Sequence, residues 1–169
     1  MKKSLIAVGL IATIALTACG GKKADTASTD APSTAASSSS AAGGFGSPLD
    51  LGGGISLTLS SPKTFVPGNF ASNYLKGQAA NLTDVTIKNG GTTPLDASTI
   101  LIQAESGTNT CTDVLDGDNG ITGAPIDPIA TGASVTFKFA IACDAKSGDA
   151  LTISVGFGSA TAKVVGKVA

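Results

Sequence analysis

The most restrictive feature of this sequence is a strict alternation of apolar and polar residues along three segments. The segments cover residues 55–59, 135–142 and 151–157. A period of two places alternate side chains on opposite faces of a strand, whereas a helix requires a period near 3.6. Each segment is therefore predicted to be a strand with one buried face.

Weaker alternation and turn signals extend this pattern over the rest of the chain. Four further candidate strands lie at residues 82–89, 99–105, 111–115 and 160–165. Clusters of Gly, Asn, Asp and Ser separate them, and such clusters favour turns. Short strands joined by turns are typical of a two-sheet sandwich or a small barrel. We predict an all-β fold, an immunoglobulin-like β-sandwich of about seven strands.

The composition excludes several classes of function. The 169 residues carry a formal net charge of -1, and they include neither histidine nor arginine. Nucleic-acid binding requires a basic surface, so we expect no nucleic-acid partner. Triads and zinc sites that depend on histidine are excluded, and no nucleophile can be paired with a base. We expect no enzymatic activity and no resident cofactor.

Residues 1–18 have the layout of a signal peptide. Lys2 and Lys3 precede an apolar run from Leu5 to Leu16. A helix of that length is too short to cross a bilayer core of about 30 Å at 1.5 Å per residue. The segment is therefore predicted to be a cleaved signal rather than a permanent membrane helix.

The end of this run, Leu16-Thr17-Ala18-Cys19, resembles the lipobox of bacterial lipoproteins. In that family a diacylglyceryl group is attached to the cysteine thiol, and a peptidase cuts immediately before it. The resemblance implies that Cys19 is the lipid attachment site and the first mature residue. Two or three acyl chains, at about 0.8 kcal/mol per buried CH₂, would hold the protein firmly.

This resemblance implies a location. We expect a lipid-anchored protein on the extracytoplasmic face of the cell membrane. In a Gram-negative host the outer membrane is expected, because Gly20 stands where an aspartate would resemble the inner-membrane retention signal. The alternatives are a secreted protein with an incidental cysteine and an N-terminal membrane helix.

Residues 19–44 are predicted to be a tether, and residues 45–169 the folded domain. From Gly20 to Gly44, 20 of 25 residues are Gly, Ala, Ser or Thr. Such a segment cannot bury a core, so we expect it to be disordered. An alanine-rich helix is the alternative, which Pro32 and a run of four serines oppose.

Two cysteines remain once Cys19 carries lipid. They are Cys111 and Cys143. An even pair in an exported protein predicts a disulfide, because exported proteins mature under oxidising conditions. Two free thiols are the alternative.

The order of several motifs carries a second resemblance. The motifs are Phe45-Gly46 with residues 55–59, the stretch DVTIKNG at 84–90 with Pro94-Leu95-Asp96, and IATGASVTF at 129–137. Together they resemble a family of bacterial exported lipoproteins of unknown function, similar to the mycobacterial immunoprotective extracellular protein. The resemblance implies an immunoglobulin-like sandwich outside the cytoplasm, and it implies no activity.

One short stretch, DVLDGDNG, is rich in side-chain oxygens. It contains Asp113, Asp116, Asp118 and Asn119. Carboxylate and amide oxygens are ligands that calcium prefers. The EF-hand pattern is not met, because Gly120 stands where Asp or Asn is required. Calcium is therefore a candidate ion, and a polar turn between strands is the alternative.

Three aromatic residues lie in the segment TFVPGNFASNY. They are Phe65, Phe70 and Tyr74. The segment contains Pro and Gly and has no clear period, so it is predicted to be a loop. Loop aromatics at the end of a sandwich are candidate partner contacts. Packing under the loop is the alternative.

These observations favour a non-enzymatic, lipid-anchored module. We expect it to present loops of the sandwich to an envelope component, an exported protein or a host molecule. The alternative is an accessory lipoprotein that binds calcium or a small ligand through the Asp113 to Asn119 loop. Fold alone does not choose between the two.

Overall fold

The alternating segments of the sequence become the long strands of two facing sheets. The structure, a computed structural model, describes residues 40–169. The signal peptide, Cys19 and the tether up to residue 39 lie outside the described residues. The described part contains eleven strands: β1 (Ser40–Gly44), β2 (Leu49–Gly52), β3 (Ile55–Leu59), β4 (Lys63–Thr64), β5 (Ala79–Asn89), β6 (Leu101–Ser106), β7 (Asn109–Thr110), β8 (Thr112–Val114), β9 (Ser134–Cys143), β10 (Ala150–Phe157) and β11 (Ala160–Lys167).

The strands form two sheets, which we name the first and the second sheet. The first sheet has the order β1-β11-β10-β6-β7. The second has the order β2-β3-β5-β9-β8, with β4 also paired to β5. All strand pairs are antiparallel except β1 with β11, which is parallel. The predicted immunoglobulin-like β-sandwich is confirmed.

All seven predicted strands are present, with small differences at their ends. The three strictly alternating segments are β3, β9 and β10. β5 begins at Ala79, three residues before the prediction, because β9 pairs with it as far as Cys143. Thr99 lies in a 3-10 turn, Ala97–Thr99, rather than in β6. The side chain of Asp96 caps this turn by accepting the N–H of Ser98.

The predicted boundary between tether and domain at residue 45 is wrong by at least five residues. Residues 40–44 form β1, which pairs with β11 over its full length. Alternation could not reveal this strand, because Ser, Ala and Gly present almost no apolar side chain. The pairing instead comes from backbone hydrogen bonds to an edge that β11 leaves open.

The core lies between the sheets, as the alternation requires. Leu57, Val85 and Ile141 project into it from the second sheet, and Ile153 and Val164 from the first. All are almost completely buried. Inward residues of both sheets interdigitate, as in other sandwiches.

Between β7 and β8 the chain passes from the first sheet to the second at Cys111. The N–H of Cys111 donates to the carbonyl of Ala104 in the first sheet, at 2.9 Å. The next residue, Thr112, opens β8 and pairs with Ala142 in the second sheet. A disulfide joins Cys111 to Cys143 at the end of β9, so the predicted pairing is confirmed. The bond fixes the crossing point to the neighbouring strand.

Candidate functional site

A long loop between β4 and β5 covers part of the outer face of the second sheet. Beneath it lies a small second core of four buried residues. They are Val114, Ile121, Ala140 and Ala142. Ala140 and Ala142 occupy the outward positions of β9, and their small side chains leave room for the loop to approach the sheet.

The three candidate aromatic residues of this loop have different environments. Phe65 and Tyr74 are partly buried and pack against the second core. Phe70 is 88% exposed. Phe65 and Tyr74 therefore follow the packing alternative, because they lie beneath the loop. Phe70 faces solvent, as a partner contact would.

Other large apolar side chains are exposed in the same loop and in the connection that follows β8. Val66 and Leu75 flank Phe70 in the same loop, and Leu115 and Ile126 lie in the connection that follows β8. Five of the seven large exposed hydrophobic residues in the described chain belong to these two segments. We name these five residues the exposed loop set.

Backbone and side-chain hydrogen bonds tie the two segments together. The N–H of Ser72 donates to the carbonyl of Leu115 at 2.9 Å. Oδ2 of Asp116 accepts the N–H of Gly68 at 2.7 Å and the Nδ2 of Asn119 at 2.7 Å. The loop that carries Phe70 is therefore held at both ends of its tip, on either side of the aromatic residue.

Asp116 is a structural residue in this arrangement. It is 1% exposed. The Gly68 amide, followed by the Asn119 side chain, lowers the pKa of Asp116 from its ordinary value. These donors stabilise the charged form and occupy Oδ2 of the carboxylate.

The structure does not bring the four candidate calcium ligands together as a ligand set. Asp116 and Asn119 are hydrogen bonded to each other, whereas Asp113 faces a recess on the other side of β8, beside Leu101 and Ile102. Asp118 is exposed. Within residues 40–169, no group of three or more acidic, His or Cys residues has an arrangement suited to a metal ion. The geometry of this stretch is that of a turn, with Gly117–Asn119 in 3-10 conformation.

Asp113 differs from Asp116 because no hydrogen-bond donor among residues 40–169 stabilises its charge. Its side chain remains accessible to solvent, but the apolar residues around it remove part of its hydration. This desolvation raises the pKa of Asp113 above its ordinary value. A cation that approached Asp113 through the recess would stabilise the charged form of this carboxylate.

A buried asparagine organises the opposite end of the sandwich. The Nδ2 of Asn89 donates to the carbonyls of Thr93 and Ile129, both at 2.9 Å. Its Oδ1 accepts the N–H of Gly91 at 3.0 Å. The sequence analysis placed Asn89 at the end of a predicted strand and in the DVTIKNG motif, and it gave the side chain no structural role. The missed signal is an Asn at the inward phase of the alternation after Val85 and Ile87, where a polar residue needs partners.

The lipid attachment site at Cys19 lies outside the described residues. Among residues 40–169, no helix has both the length and the apolar character needed to cross a bilayer. Membrane attachment through Cys19 therefore stays a prediction from the sequence.

Comparison with known proteins relates this chain to others by fold. No protein-family model matches the sequence, and no curated protein matches it. A solved structure of a candidate lipoprotein, ycdA of Bacillus subtilis, is similar with a TM-score of 0.56 and 14% identity. The match covers 69% of this chain and 37% of that protein.

A second structure is an uncharacterized β-sandwich protein of Clostridium difficile 630. It aligns with a TM-score of 0.45 and 15% identity, over 76% of this chain and 95% of that one. The likeness to ycdA shows a shared fold, and this chain spans little more than a third of that protein's length. The resemblance to the mycobacterial family stays a prediction.

Proposed function

We propose that the protein is a non-enzymatic binding module, anchored outside the cytoplasm by lipid on Cys19, which contacts a partner protein through the exposed loop set. The lipobox-like sequence supports the anchor. The description of ycdA as a candidate lipoprotein agrees with it, although at 14% identity that similarity concerns the fold.

The exposure of Phe70 on a fixed loop is the observation that carries the binding proposal. Scattered exposed apolar residues are common on soluble proteins, whereas a group of them marks an interaction surface. Here an aromatic side chain is 88% exposed while hydrogen bonds hold the backbone on both sides of it. A preordered aromatic residue loses little conformational entropy on binding, and aromatic residues are frequent energetic centres of interfaces.

The charge of the loop limits the kind of partner. Residues 63–78 include Lys63 and Lys76 and contain no acidic residue. We infer a partner with an apolar pocket for Phe70 and an acidic rim. Electrostatic complementarity at a rim mainly increases the association rate, and salt reduces that increase.

The anchor is tested on the protein isolated from membranes of its native host. We expect a mature chain that begins at Cys19 and carries the mass of a diacylglyceryl group. Cys19→Ala should leave the signal uncleaved and remove the lipid mass. A mature chain that begins elsewhere, or that carries no fatty acid, would contradict the anchor.

The binding surface is tested by a photo-crosslinking residue introduced at position 70 in cells that display the anchored protein. We expect a specific protein adduct, absent when the residue stands at Val165, an exposed apolar position on β11. Phe70→Ala should remove binding without changing the melting temperature, whereas Tyr74→Ala should lower the melting temperature because Tyr74 packs against the second core. Crosslinks to lipid alone would contradict a protein partner and would indicate that Phe70 contacts the membrane surface.

We propose no resident cofactor. Calcium binding by the Asp113 to Asn119 stretch would raise the melting temperature on addition of the ion and lower it in chelator. We expect no shift in either direction, because hydrogen bonds already occupy Oδ2 of Asp116. A calcium-dependent shift that Asp116→Asn removes would restore the ion-binding alternative.

A further inference from the structure

One side of the sandwich is open between the edges of the two sheets. β7 pairs only with the last two residues of β6, so the earlier part of β6 forms an edge of the first sheet. β8 is the edge strand of the second sheet. A recess of about 680 Å³ lies between them and is lined by residues of both edges, with Asn73 from the covering loop.

The backbone of β6 offers unpaired hydrogen-bonding groups to this recess. The N–H and C=O of one strand residue point to the same side, and successive residues point to opposite sides. The carbonyl of Ala104 accepts from Cys111, so it points away from β10 and toward the opening. The backbone groups of Ile102, two residues earlier, therefore point the same way, and no neighbouring strand of the described chain pairs with them.

The charges of the recess are of one sign. Its lining includes Glu105 and Asp113 and contains no lysine or arginine. The apolar side chains of Leu101 and Ile102 adjoin Asp113 and continue into a smaller neighbouring recess of about 170 Å³. Lys138 also lines that smaller recess, and its Nζ donates to the carbonyl of Asn119 at 2.8 Å. A ligand that matches this lining needs backbone donors and acceptors, apolar side chains and one positive charge.

We propose that this open side, which we name the edge slot, takes up an extended segment of a partner protein as an added strand on β6, with a lysine or arginine of that segment paired to Asp113. Strand addition at a free sheet edge obtains affinity from backbone hydrogen bonds and specificity from alternate side chains. The proposal concerns a surface separate from Phe70.

A second copy of the chain fits this surface less well than a single strand. Edge-to-edge pairing would bring a two-layered sandwich edge against the recess, which the Asn73 segment and the Cys111 to Asp113 segment border. The volume of the recess lies in the range of sites that enclose short ligands. One extended segment can enter the recess between β6 and β8, whereas the edge of a second copy of the domain cannot.

The test uses the full-length protein and two libraries of ten-residue peptides with apolar residues at alternate positions. One library has lysine at a fixed central position, and the other has glutamate there. We expect enrichment from the lysine library only. A selected peptide should slow amide hydrogen exchange at Ile102, because its N–H becomes a strand donor, whereas Ala104, which already faces Cys111, should be unaffected.

Charge variants decide whether Asp113 is the recognition residue. Asp113→Asn should weaken the selected peptide about tenfold, and Asp113→Lys should transfer enrichment to the glutamate library. Asp84→Asn is the matched control, because Asp84 is exposed on β5 away from the slot, and it should leave the affinity unchanged. Phe70→Ala should also leave it unchanged, which separates binding at the edge slot from binding at the exposed loop set.

Three results would overturn the proposal. The first is no enrichment from either library, and the second is peptide binding that Asp113→Lys does not alter. The third is a dimer in sedimentation whose formation alone slows amide exchange at Ile102, which would make the edge a contact between copies of the chain.

Discussion

At the residue scale, Asn89 carries most of the buried polar structure at one end of the sandwich. Its side chain is nearly inaccessible, and it holds the segments that contain Thr93 and Ile129 in place. Asn89→Ala would leave two carbonyl groups and one amide without these partners. We expect a loss of about 2–4 kcal/mol in the free energy of unfolding, because each unsatisfied buried group costs about 1–3 kcal/mol.

Urea denaturation of Asn89→Ala measures this loss. Asn109→Ala is the matched control, because the side chain of the exposed Asn109 donates to the carbonyl of Asp144 at 3.0 Å, at the protein surface. The control should lose less than about 1 kcal/mol. Equal losses in the two variants would contradict the role assigned to Asn89.

Asp113 makes stability depend on pH in a direction that is unusual for a carboxylate. Its pKa is raised above the ordinary value of 3.8, so the folded state binds the proton more tightly than the unfolded state. The stability gained from that proton is complete below pH 3.8 and is lost as the pH rises through the raised pKa. Asp113→Asn should therefore be more stable than the parent at neutral pH, with the difference shrinking as the pH falls.

Asp96 provides a control of opposite sign. Hydrogen bonds from the side chain and backbone of Ser98 lower the pKa of Asp96 below 3.8. Its contribution is present above pH 3.8 and is lost as the pH falls through the lowered pKa. Asp96→Asn should thus be less stable than the parent at neutral pH. Thermal melts between neutral and acidic pH measure both trends, and parallel curves for the two variants would contradict them.

At the element scale, two turns approach each other through glycine backbones. Gly54 lies between β2 and β3, and Gly90 follows β5. The N–H of Gly90 donates to the carbonyl of Gly54 at 2.9 Å. A Cβ at Gly90 would lie 2.8 Å from that same oxygen, which is closer than real Cβ contacts allow.

Gly90→Ala should therefore destabilise the protein through a backbone clash. We expect a loss of about 1–3 kcal/mol in the free energy of unfolding, the usual range for overpacking. Gly117→Ala is the matched control, because a Cβ added at Gly117 would have no heavy atom within 4 Å and its φ is not positive. Denaturant curves compare the two, and a neutral Gly90→Ala would show that the turns can separate at no cost.

The elements also show what the sequence could and could not predict. β3, β9 and β10 were predictable because each strand buries one face. A strand with one buried face has apolar and polar residues in alternation. β1 was not predictable, because its Ala and Gly residues do not distinguish a buried face from an exposed one. Its partner β11 also lies over a hundred residues later in the chain.

The loop between β4 and β5 shows a further limit of sequence patterns. Nothing in the sequence around Phe65, Phe70 and Tyr74 indicates which of them is covered, because the second core that covers two of them is built from residues far away in the chain. The acidic stretch after Cys111 is similar. Its composition indicated calcium as a candidate ligand. The sequence could not show that Asp116 accepts a hydrogen bond from Gly68, which lies far away in the chain.

At the scale of the whole molecule, one covalent bond holds the point between β7 and β8 where the chain passes from the first sheet to the second. Cys111 and Cys143 are 32 residues apart in sequence. Closing a loop of that length lowers the entropy of the unfolded chain, which stabilises the folded state by about 3–4 kcal/mol in the chain-entropy model. Within the marginal stability of a small domain, of about 5–15 kcal/mol, this is a large share.

The double variant Cys111→Ala with Cys143→Ala tests this contribution. We expect it to lose about 3–4 kcal/mol, and reduction of the parent protein should produce a loss of similar size. Cys19→Ala serves as the control for the third cysteine and should leave the stability of the domain unchanged. The bond also fixes Cys111 beside Ala104, so its loss should raise hydrogen exchange first at Thr112 and Asp113, which border the edge slot. A double variant that keeps the stability of the parent would show that strand pairing alone holds the two sheets at this crossing.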